Sequence, residues 1–378
     1  MKKRVLVTGA TGFIGRHSLP RLRKLGYDVH AVSSRRPPRE PGEGVTWHSA
    51  DFLELDSAAS LVEKVRPTHL LHFAWYAVPG KYWTASENLA WVKATAGLMQ
   101  AFTDRGGQRA VMAGSCAEYD WKFDYCSEEF TPCRPATLYG ACKHGTQLLL
   151  DAWSRQTGLS SAWGRIFFLY GPGEYPSRLI PSVINSLLHG EPARCTHGNQ
   201  VRDFLHVDAA AAFAALLDSD VKGAVNIASG IHVPLKDVVY TIADEAETRR
   251  MHDEMLTNAE EVLQALKLPY HVLLMCTGDM GAGQRRKYDI ETWFSGQGRY
   301  RETHSDSYFN DFQARRLNIK YRAKNGETKY VYTINNTVAA TPRLLAAIIE
   351  NYQQADGTVK VPDILVPFMG KEVIGREG

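Results

Sequence analysis

A glycine-rich segment near the N-terminus, TGATGFIG at residues 8–15, is the feature that most constrains this fold. It follows an apolar stretch at 4–8 that is typical of a strand, and it precedes a stretch with helical periodicity. Glycines at such a junction allow a tight turn and let the backbone approach a pyrophosphate at the helix N-terminus. A plain tight turn is the alternative. The residues expected to form a dinucleotide-binding loop are Gly9, Thr11, Gly12, Phe13, Ile14 and Gly15.

Short apolar strands alternate with helical stretches as far as about residue 230. The predicted strands are 4–8, 29–33, 70–74, 110–113 and 161–168, and the predicted helices are 17–25, 59–65, 86–102 and 140–156. This alternation predicts an α/β fold, a Rossmann-like doubly wound parallel sheet covered on both faces.

The pattern changes near residue 250. An amphipathic stretch at 251–267 predicts a separate helix, and 300–308, 318–322 and 329–334 are typical of antiparallel strands with a turn at Lys324, Asn325 and Gly326. A helix is expected from 342 to about 352. We therefore predict two domains, residues 1–250 and residues 251–378, the second being an α+β segment.

Composition restricts the partners of the chain. Its formal net charge of +3 is too small to require nucleic acid or a membrane, and no apolar run approaches the roughly 18 residues of a membrane helix. Its six cysteines form no CxxC pair and no zinc-type spacing, which indicates reduced thiols. We expect a cytoplasmic protein with no membrane partner and no metal site.

The end of the second strand predicts the cofactor. An acidic residue there would bind the ribose hydroxyls of NAD, whereas basic residues suit the 2′-phosphate of NADP. The chain has Ser34, Arg35 and Arg36 and no acid. NADP(H) is therefore favoured, with NAD left open. Asp51 and Phe52 follow the next strand and suit the adenine side of the cofactor.

Tyr139 and Lys143 form a Tyr-x-x-x-Lys pair at the start of a predicted helix. Residues four apart share a helix face, and a neighbouring cation lowers the pKa of a phenol toward the range useful for proton transfer. Ser115 ends a predicted strand, where it can supply a hydroxyl to the same site. These three residues are the candidate catalytic set.

Several motifs together resemble the extended short-chain dehydrogenases/reductases, which include nucleotide-sugar epimerases, dehydratases and ketoreductases. The resemblance covers about residues 4–245 and rests on TGATGFIG at 8–15, SCAEY at 115–119, YGACK at 139–143, LYGPG at 169–173, RDFLHVD at 202–208 and NIASG at 226–230. It implies that Tyr139 is the acid/base, that Lys143 lowers its pKa and binds the cofactor ribose, and that Ser115 hydrogen-bonds the reacting oxygen. It also implies substrate phosphate contacts for Arg202 and Arg178, and we add Ala74 to the cofactor site.

The chain departs from the family's sugar dehydratases just after Ser115. Those enzymes have acids there, whereas this chain has Cys116 and Ala117, and Glu118 lies one position further along. Dehydration is therefore disfavoured. A reductase or an epimerase acting on a nucleotide-linked sugar is expected, and a homodimer with it.

Residues 251–378 resemble the C-terminal half of a seryl-tRNA synthetase catalytic domain, of the class II synthetase type. The matching segments are LMCTGDM at 274–280, YDIETW at 288–293, DFQARR at 311–316, TPR at 341–343 and ENYQQ at 350–354. The resemblance implies ATP phosphate contacts for Arg343, ATP and magnesium contacts for Glu302 and Ser305, and a serine-pocket hydroxyl for Thr337.

Motif 1, motif 2 and a tRNA-binding arm of such a synthetase do not occur in the sequence, so we expect this half to be inactive alone and tRNA not to be a partner. ATP and magnesium are expected only if this half is functional. The alternatives to a nucleotide-sugar enzyme are a synthetase-related protein that binds ATP, serine or tRNA, and a non-catalytic fusion of two truncated domains.

Overall fold

The computed structural model describes residues 3–34, 44–123, 125–195, 198–323 and 326–375. The chain forms two compact units, the first comprising Met1–Ser186 and Pro192–Val238 and the second Leu187–Glu191 and Val239–Gly378.

The first unit is built on a parallel sheet. In chain order its strands are β1 (Arg4–Thr8), β2 (Asp28–Ser33), β3 (Val45–Ser49), β4 (His69–His72), β5 (Arg109–Ser115), β6 (Ser160–Ile166), β7 (Phe168–Tyr170), β8 (Val201–His206), β9 (Gly223–Ile227) and β10 (His232–Pro234). The large sheet has the order β3-β2-β1-β4-β5-β6-β9, and every pair in it is parallel. The strand order reverses between β1 and β4, so the carboxyl ends of these two strands border a crevice where α/β proteins bind ligands.

Helices cover both faces of this sheet. They are α1 (Phe13–Lys24), α2 (Ser57–Val65), α3 (Glu87–Asp104), α4 (Leu138–Thr157) and α6 (Ala210–Leu217), and a further helix, α5 (Leu179–Leu188), follows β7 in the chain. One core cluster joins the sheet to α1 and α6 through residues such as Leu22 and Phe213, and a second joins it to α2, α3 and α4 through Leu98 and Leu150. The predicted doubly wound α/β fold is confirmed.

The single strand predicted at 161–168 is two strands in two sheets. The backbone leaves the large sheet after Ile166, where the amide of Phe167 donates to the carbonyl of Ile227 at 3.1 Å. Strand β7 then joins the small sheet β10-β8-β7. The sequence concealed this change of sheet, because Ile166 to Tyr170 is apolar or aromatic and has no glycine or proline at the point where β6 ends.

The second unit contains an antiparallel sheet, as predicted. Its elements in chain order are α7 (Leu235–Ala265), which begins in the first unit, β11 (Tyr270–Leu274), β12 (Arg286–Phe294), β13 (Arg299–Tyr308), α8 (Phe312–Leu317), β14 (Lys320–Arg322), β15 (Thr328–Tyr330), β16 (Ile334–Asn336), α9 (Thr341–Tyr352), β17 (Val359–Lys360), α10 (Val366–Met369) and β18 (Val373–Ile374). The main sheet has the order β11-β12-β13-β16. Leu263 of α7 and Leu344 of α9 belong to the core cluster that includes Ile290 of the sheet. The predicted turn residues Lys324 and Asn325 lie outside the described residues.

The prediction of a separate helix at 251–267 is wrong. Helix α7 runs without a break from Leu235 to Ala265, and the division between the two units falls inside it. Between Pro234 and Pro269 the sequence contains neither glycine nor proline, so nothing interrupts the backbone hydrogen bonding. Although α7 has 31 residues, neither it nor any other described helix is apolar enough to cross a membrane.

Candidate active site

The glycine loop connects β1 to α1 at the carboxyl edge of the parallel sheet. Gly9 has a φ of +63°, and a Cβ there would lie 2.8 Å from the backbone nitrogen of Ala74. A Cβ on Gly15 would lie 2.2 Å from the carbonyl oxygen of Gly9. Neither position can hold a larger residue without moving the backbone. The first amides of α1 are thereby held where they can bind an anion such as a pyrophosphate.

The neighbouring strand end is fixed by a buried polar contact. Thr8 Oγ1 lies 2.7 Å from His72 Nδ1 and accepts a hydrogen bond from the Ala74 amide at 3.2 Å. Burial lowers the pKa of His72 to about 3, so its ring is neutral at ordinary pH. These contacts hold the backbone of Ala74 beside the glycine loop.

A cavity of about 750 Å³ extends from this loop, a volume within the range of ligand-binding clefts. The predicted cofactor residues that line it are Gly9, Thr11, Gly12, Phe13, Ile14, Gly15, Ser34, Asp51, Phe52, Ala74 and Lys143. Arg35 and Arg36 lie outside the described residues, so their contact with a 2′-phosphate stays a prediction. The glycine loop and cavity fit a dinucleotide.

Ser115, Tyr139 and Lys143 all line the same cavity. Ser115 ends β5, and Tyr139 and Lys143 lie one turn apart in the first part of α4, which begins after the capping hydroxyl of Thr137. The Lys143 ammonium donates a hydrogen bond to the Ala113 carbonyl at 2.8 Å. The structure therefore brings the three candidate catalytic residues together beside the candidate cofactor loop.

The protonation of this set is sensitive to burial. Burial raises the pKa of Tyr139 above its usual range, while its hydrogen bond with Ser115 acts in the opposite direction. Burial lowers the pKa of Lys143 to about 7, against the attraction of the Glu118 carboxylate. The charged form of Lys143 is the form that favours the Tyr139 phenolate, so the two side chains are coupled through charge.

Both candidate substrate arginines also line the cavity. The Arg178 guanidinium lies 5.8 Å from the centre of the Tyr82 ring, and that ring packs edge-on against Tyr139 at 4.8 Å. Arg202 lies 5.2 Å from the centre of the Trp121 ring and donates to the Val201 carbonyl. Arg178 is thus linked to Tyr139 through one aromatic side chain.

Glu118 is turned into the protein. It is fully buried, and its carboxylate accepts hydrogen bonds from the Ser115 amide at 2.7 Å, from Trp163 Nε1 at 2.9 Å and from Arg165 Nε at 2.8 Å. These contacts fix the turn that carries Ser115. Glu118 therefore holds the backbone of Ser115, a candidate catalytic residue, in place.

Sequence reasoning missed the aromatic wall of the cavity and one acid. The aromatic residues are Trp75, Tyr82, Trp83 and Trp91. In the sequence, Trp75, Tyr82 and Trp83 lie in the aromatic-rich segment FAWYAVPGKYW at 73–83, between a strand end and a helix. This segment could have indicated an aromatic wall. Glu174 also lines the cavity; one of its carboxylate oxygens is buried without a hydrogen-bond partner, and burial raises its pKa to about 7.

Two of the residues expected to bind ATP in the second unit, Arg343 and Glu302, contact one another. Arg343 Nη1 lies 3.3 Å from the carboxylate of Glu302 and also donates to the Glu302 carbonyl. Ser305 lies on β13, and Thr337 is exposed just after β16. Across the described ranges, no group of three or more His, Cys, Asp and Glu side chains is placed to hold a metal ion.

The sequence profile of the NAD dependent epimerase/dehydratase family matches residues 5–228. The chain belongs to this family. The epimerase/dehydratase unit is similar to the solved UDP-N-acetylglucosamine 4-epimerase from Methanobrevibacter ruminantium M1 in complex with UDP-N-acetylmuramic acid, at 26% identity and a TM-score of 0.59, over 65% of this chain and 83% of that one. It is also similar to MoeE5 in complex with UDP-glucuronic acid and NAD, at 32% identity and a TM-score of 0.56, over 64% and 81%.

The residues that follow the epimerase/dehydratase match resemble a tRNA synthetase. The profile of the class II tRNA synthetase core domain (G, H, P, S and T) matches residues 235–352. A serine–tRNA ligase from Deinococcus radiodurans is 48% identical over 158 residues, which are 42% of this chain and 37% of the ligase. The C-terminal part therefore resembles a seryl-tRNA synthetase fragment, and the match spans little more than a third of that ligase.

Proposed function

We propose that the first unit is a reductase or epimerase that acts on a nucleotide-linked sugar with NADP(H) as its cofactor, NAD being the alternative. One observation carries this proposal: Ser115, Tyr139 and Lys143 line the cavity that also contains the glycine loop. A proton-transfer group, a hydrogen-bond donor and a cation beside a dinucleotide loop are the parts that carbonyl–alcohol interconversion needs.

The side chains have distinct roles in this chemistry. A nicotinamide cofactor supplies or accepts a hydride when bound. In the direction of reduction, Tyr139 gives its phenolic proton to the carbonyl oxygen of the sugar, and the carbonyl becomes an alcohol. In the direction of oxidation, the phenolate takes the proton of the hydroxyl. Ser115 hydrogen-bonds the reacting oxygen, and Lys143 stabilises the phenolate.

The substrate class follows from the arginines of the cavity. Guanidinium groups bind phosphates well, and Arg178 and Arg202 line the cavity that contains Tyr139. The similar proteins with solved structures hold UDP-linked sugars. We infer that a nucleotide diphosphate contacts these arginines and that its sugar lies near Tyr139.

Dehydration is a less favoured reaction for this cavity. Removing water from a sugar needs an acid near the leaving hydroxyl, and the two residues after Ser115 are Cys116 and Ala117. The next residue, Glu118, accepts three hydrogen bonds from the protein. Reduction and epimerisation need only the Ser115, Tyr139 and Lys143 set.

The test is a titration of the full chain with NADPH, NADP⁺, NADH and NAD⁺ by calorimetry. UDP-N-acetylglucosamine, UDP-glucose and UDP-glucuronic acid are then incubated with the preferred cofactor, and sugar products are followed by NMR. We expect tighter binding of the NADP forms and conversion of a UDP-sugar. Binding of no nicotinamide cofactor would overturn the proposal, and tighter binding of NAD would overturn only the choice of cofactor.

We further infer that the second unit does not activate serine by itself. The resemblance to a seryl-tRNA synthetase places motif 2 just before Met251, where this chain forms α7. The matched region corresponds to 37% of the ligase. Serine-dependent ATP–pyrophosphate exchange by the full chain with magnesium is expected to be undetectable. Measurable exchange would favour the synthetase-related function instead.

A further inference from the structure

The ammonium of Lys143 has an aromatic neighbour that the proposed chemistry does not use. Its Nζ atom lies 3.9 Å from the centre of the Trp75 ring, whereas the Trp163 ring is 5.9 Å away. Lys143 is 4% exposed, so water contributes little to the solvation of its charge. The carboxylate of Glu118 is engaged by its own hydrogen bonds to the protein. The Trp75 ring is therefore a principal neighbour of this buried cation.

The Trp75 ring is itself held in a fixed orientation. Its Nε1 donates to Asn88 Oδ1 at 2.8 Å. Asn88 is fully buried, and its amide nitrogen donates to the carbonyls of Tyr82 at 2.7 Å and Ala85 at 2.8 Å. The Trp91 ring stacks on Trp75, with 6.3 Å between ring centres. The ring is fixed at its edge and stacked by a neighbour, as a positioning role requires.

An ammonium group has three N–H donors. In Lys143 one is donated to the Ala113 carbonyl at 2.8 Å, and the Trp75 ring contacts the same ammonium. The ammonium has further N–H groups with which to bind a ligand in the cavity that Lys143 lines. A cation over an indole ring is attracted by the negative face of the ring, and more strongly where water is excluded.

We propose that Trp75 is a positioning residue for Lys143: its ring keeps the buried ammonium charged and directs the remaining N–H groups toward the cofactor. This inference rests on the proposed function, because it gives Trp75 a role through the lysine that binds the cofactor and supports Tyr139. Trp75 acts against burial, which favours the neutral amine. Loss of the ring must therefore lower the pKa of Lys143 further, by about one unit.

The first test is the pH dependence of cofactor affinity in the full chain, measured with NADP⁺ between about pH 5 and pH 9. All the proteins compared also carry Glu174→Gln, because Glu174 lines the same cavity and burial raises its pKa to about 7. The wild type is compared with Trp75→Leu, which removes the ring, and Trp75→Phe, which retains a weaker one. Trp153→Leu, which removes a tryptophan outside the cavity, is the control. Affinity is expected to fall as Lys143 loses its proton. The midpoint of that fall should move down by about one unit in Trp75→Leu, by less in Trp75→Phe and not at all in the control.

A uniform loss of affinity in Trp75→Leu with an unchanged midpoint would show a merely structural role and would overturn the proposal. Circular dichroism at each pH checks that the variants remain folded. If Trp75→Leu does not fold, the comparison of Trp75→Phe with the wild type decides, because phenylalanine keeps most of the buried volume.

The second test needs no cofactor. The tryptophan emission of the full chain is titrated with pH, and the wild type should show a component centred near the Lys143 pKa of about 7. The part of that component that is lost in Lys143→Met reports the charge of Lys143. This part should also be lost in Trp75→Phe, and its persistence there would overturn the contact. If the wild type binds no nicotinamide cofactor, the proposed function fails, yet this titration still decides whether Trp75 senses the charge of Lys143.

Discussion

Each unit of the chain contains a buried pair of ionisable side chains, and the two pairs differ in their hydrogen bonding. In the first unit, Glu118 and Arg165 are buried together, and each makes several hydrogen bonds. In the second unit, His252 and Asp306 are fully buried with 3.3 Å between Nε2 and Oδ1, but neither side chain makes a hydrogen bond. A buried polar group without a hydrogen bond costs about 1–3 kcal/mol, more when it is charged.

The candidate sites of the two units also differ in what their polar side chains contact. The first unit places the three candidate catalytic side chains and a glycine loop on one cavity, and the buried Glu118 fixes the turn that carries Ser115. In the second unit, Arg343 contacts Glu302, the carboxylate expected to bind magnesium. A site prepared for a ligand keeps its polar groups oriented toward a cavity, whereas these two groups neutralise one another. Chemistry is therefore expected in the first unit and not in the second.

The largest expected effect is that of Tyr139→Phe. Removing the phenolic hydroxyl takes away the acid/base and should lower turnover of a UDP-sugar by about 10²- to 10⁴-fold. Cofactor affinity should change little, since the ring remains in place. Tyr125→Phe, at an exposed position, is the matched control. If Tyr139→Phe turned over a UDP-sugar as fast as the wild type, Tyr139 would not be the acid/base. The proposed chemistry would then no longer distinguish the first unit from the second.

The next effect is that of Gly15→Ala on cofactor binding. The new Cβ would lie 2.2 Å from the Gly9 carbonyl oxygen, so the loop must shift away from its anion-binding geometry. We expect NADPH affinity to fall at least about tenfold, or roughly 1.4 kcal/mol, in a calorimetric titration. Gly97→Ala is the control, because a Cβ in that part of α3 meets no atom within 4 Å. That variant should bind normally and be more stable by about 0.5–1 kcal/mol.

A pH-dependent effect is expected from Glu174, the cavity acid. Its pKa is raised from 4.5 to about 7 by burial, so the folded chain binds more protons than the unfolded chain between these values. Stability contributed by this group is therefore lost as pH rises from 4.5 to 7. Glu174→Gln should stabilise the first unit by about 1–3 kcal/mol at pH 8 and by much less at pH 5.

Urea unfolding at the two pH values measures the effect of Glu174→Gln, with Glu129→Gln at an exposed position as the control. An equal effect at both pH values would mean that Glu174 is not destabilised by its burial in the cavity wall. The first unit would then show no loss of stability from the burial of this carboxyl group at its candidate site.

Local patterns were enough to predict the parallel sheet, the glycine loop and the grouping of Ser115, Tyr139 and Lys143 at one cavity. The central strands of the first unit are mostly apolar, as in Val5–Val7 of β1 and Ala110–Ala113 of β5, and Tyr139 and Lys143 are linked by helical spacing alone. Strand β12 was missed, although Tyr288 and Ile290 alternate there with Lys287 and Asp289, which is the signal of a strand.

Contacts between distant segments could not be predicted. The contact of Lys143 with Trp75 joins residues from α4 and from the loop after β4, and no spacing rule connects them. The raised pKa of Glu174 also depends on burial, which only the packed cavity creates. The continuous helix α7 could have been predicted from local sequence alone. No glycine or proline occurs between Pro234 and Pro269, so nothing in this segment indicates that the helix is interrupted.

The smallest expected effect is that of Arg343→Ala. The side chains of Arg343 and Glu302 are 59% and 42% exposed, so their ion pair is screened by water and contributes at most about 1 kcal/mol. Because the proposed reaction uses groups of the first unit only, NADPH affinity and turnover should match those of the wild type. Arg178→Ala is the contrasting variant, since it removes a guanidinium from the cavity and should raise the KM for a UDP-sugar about tenfold or more. If Arg343→Ala lowered turnover as much as Arg178→Ala, the second unit would have a part in the reaction, and the two units could no longer be assigned separate roles.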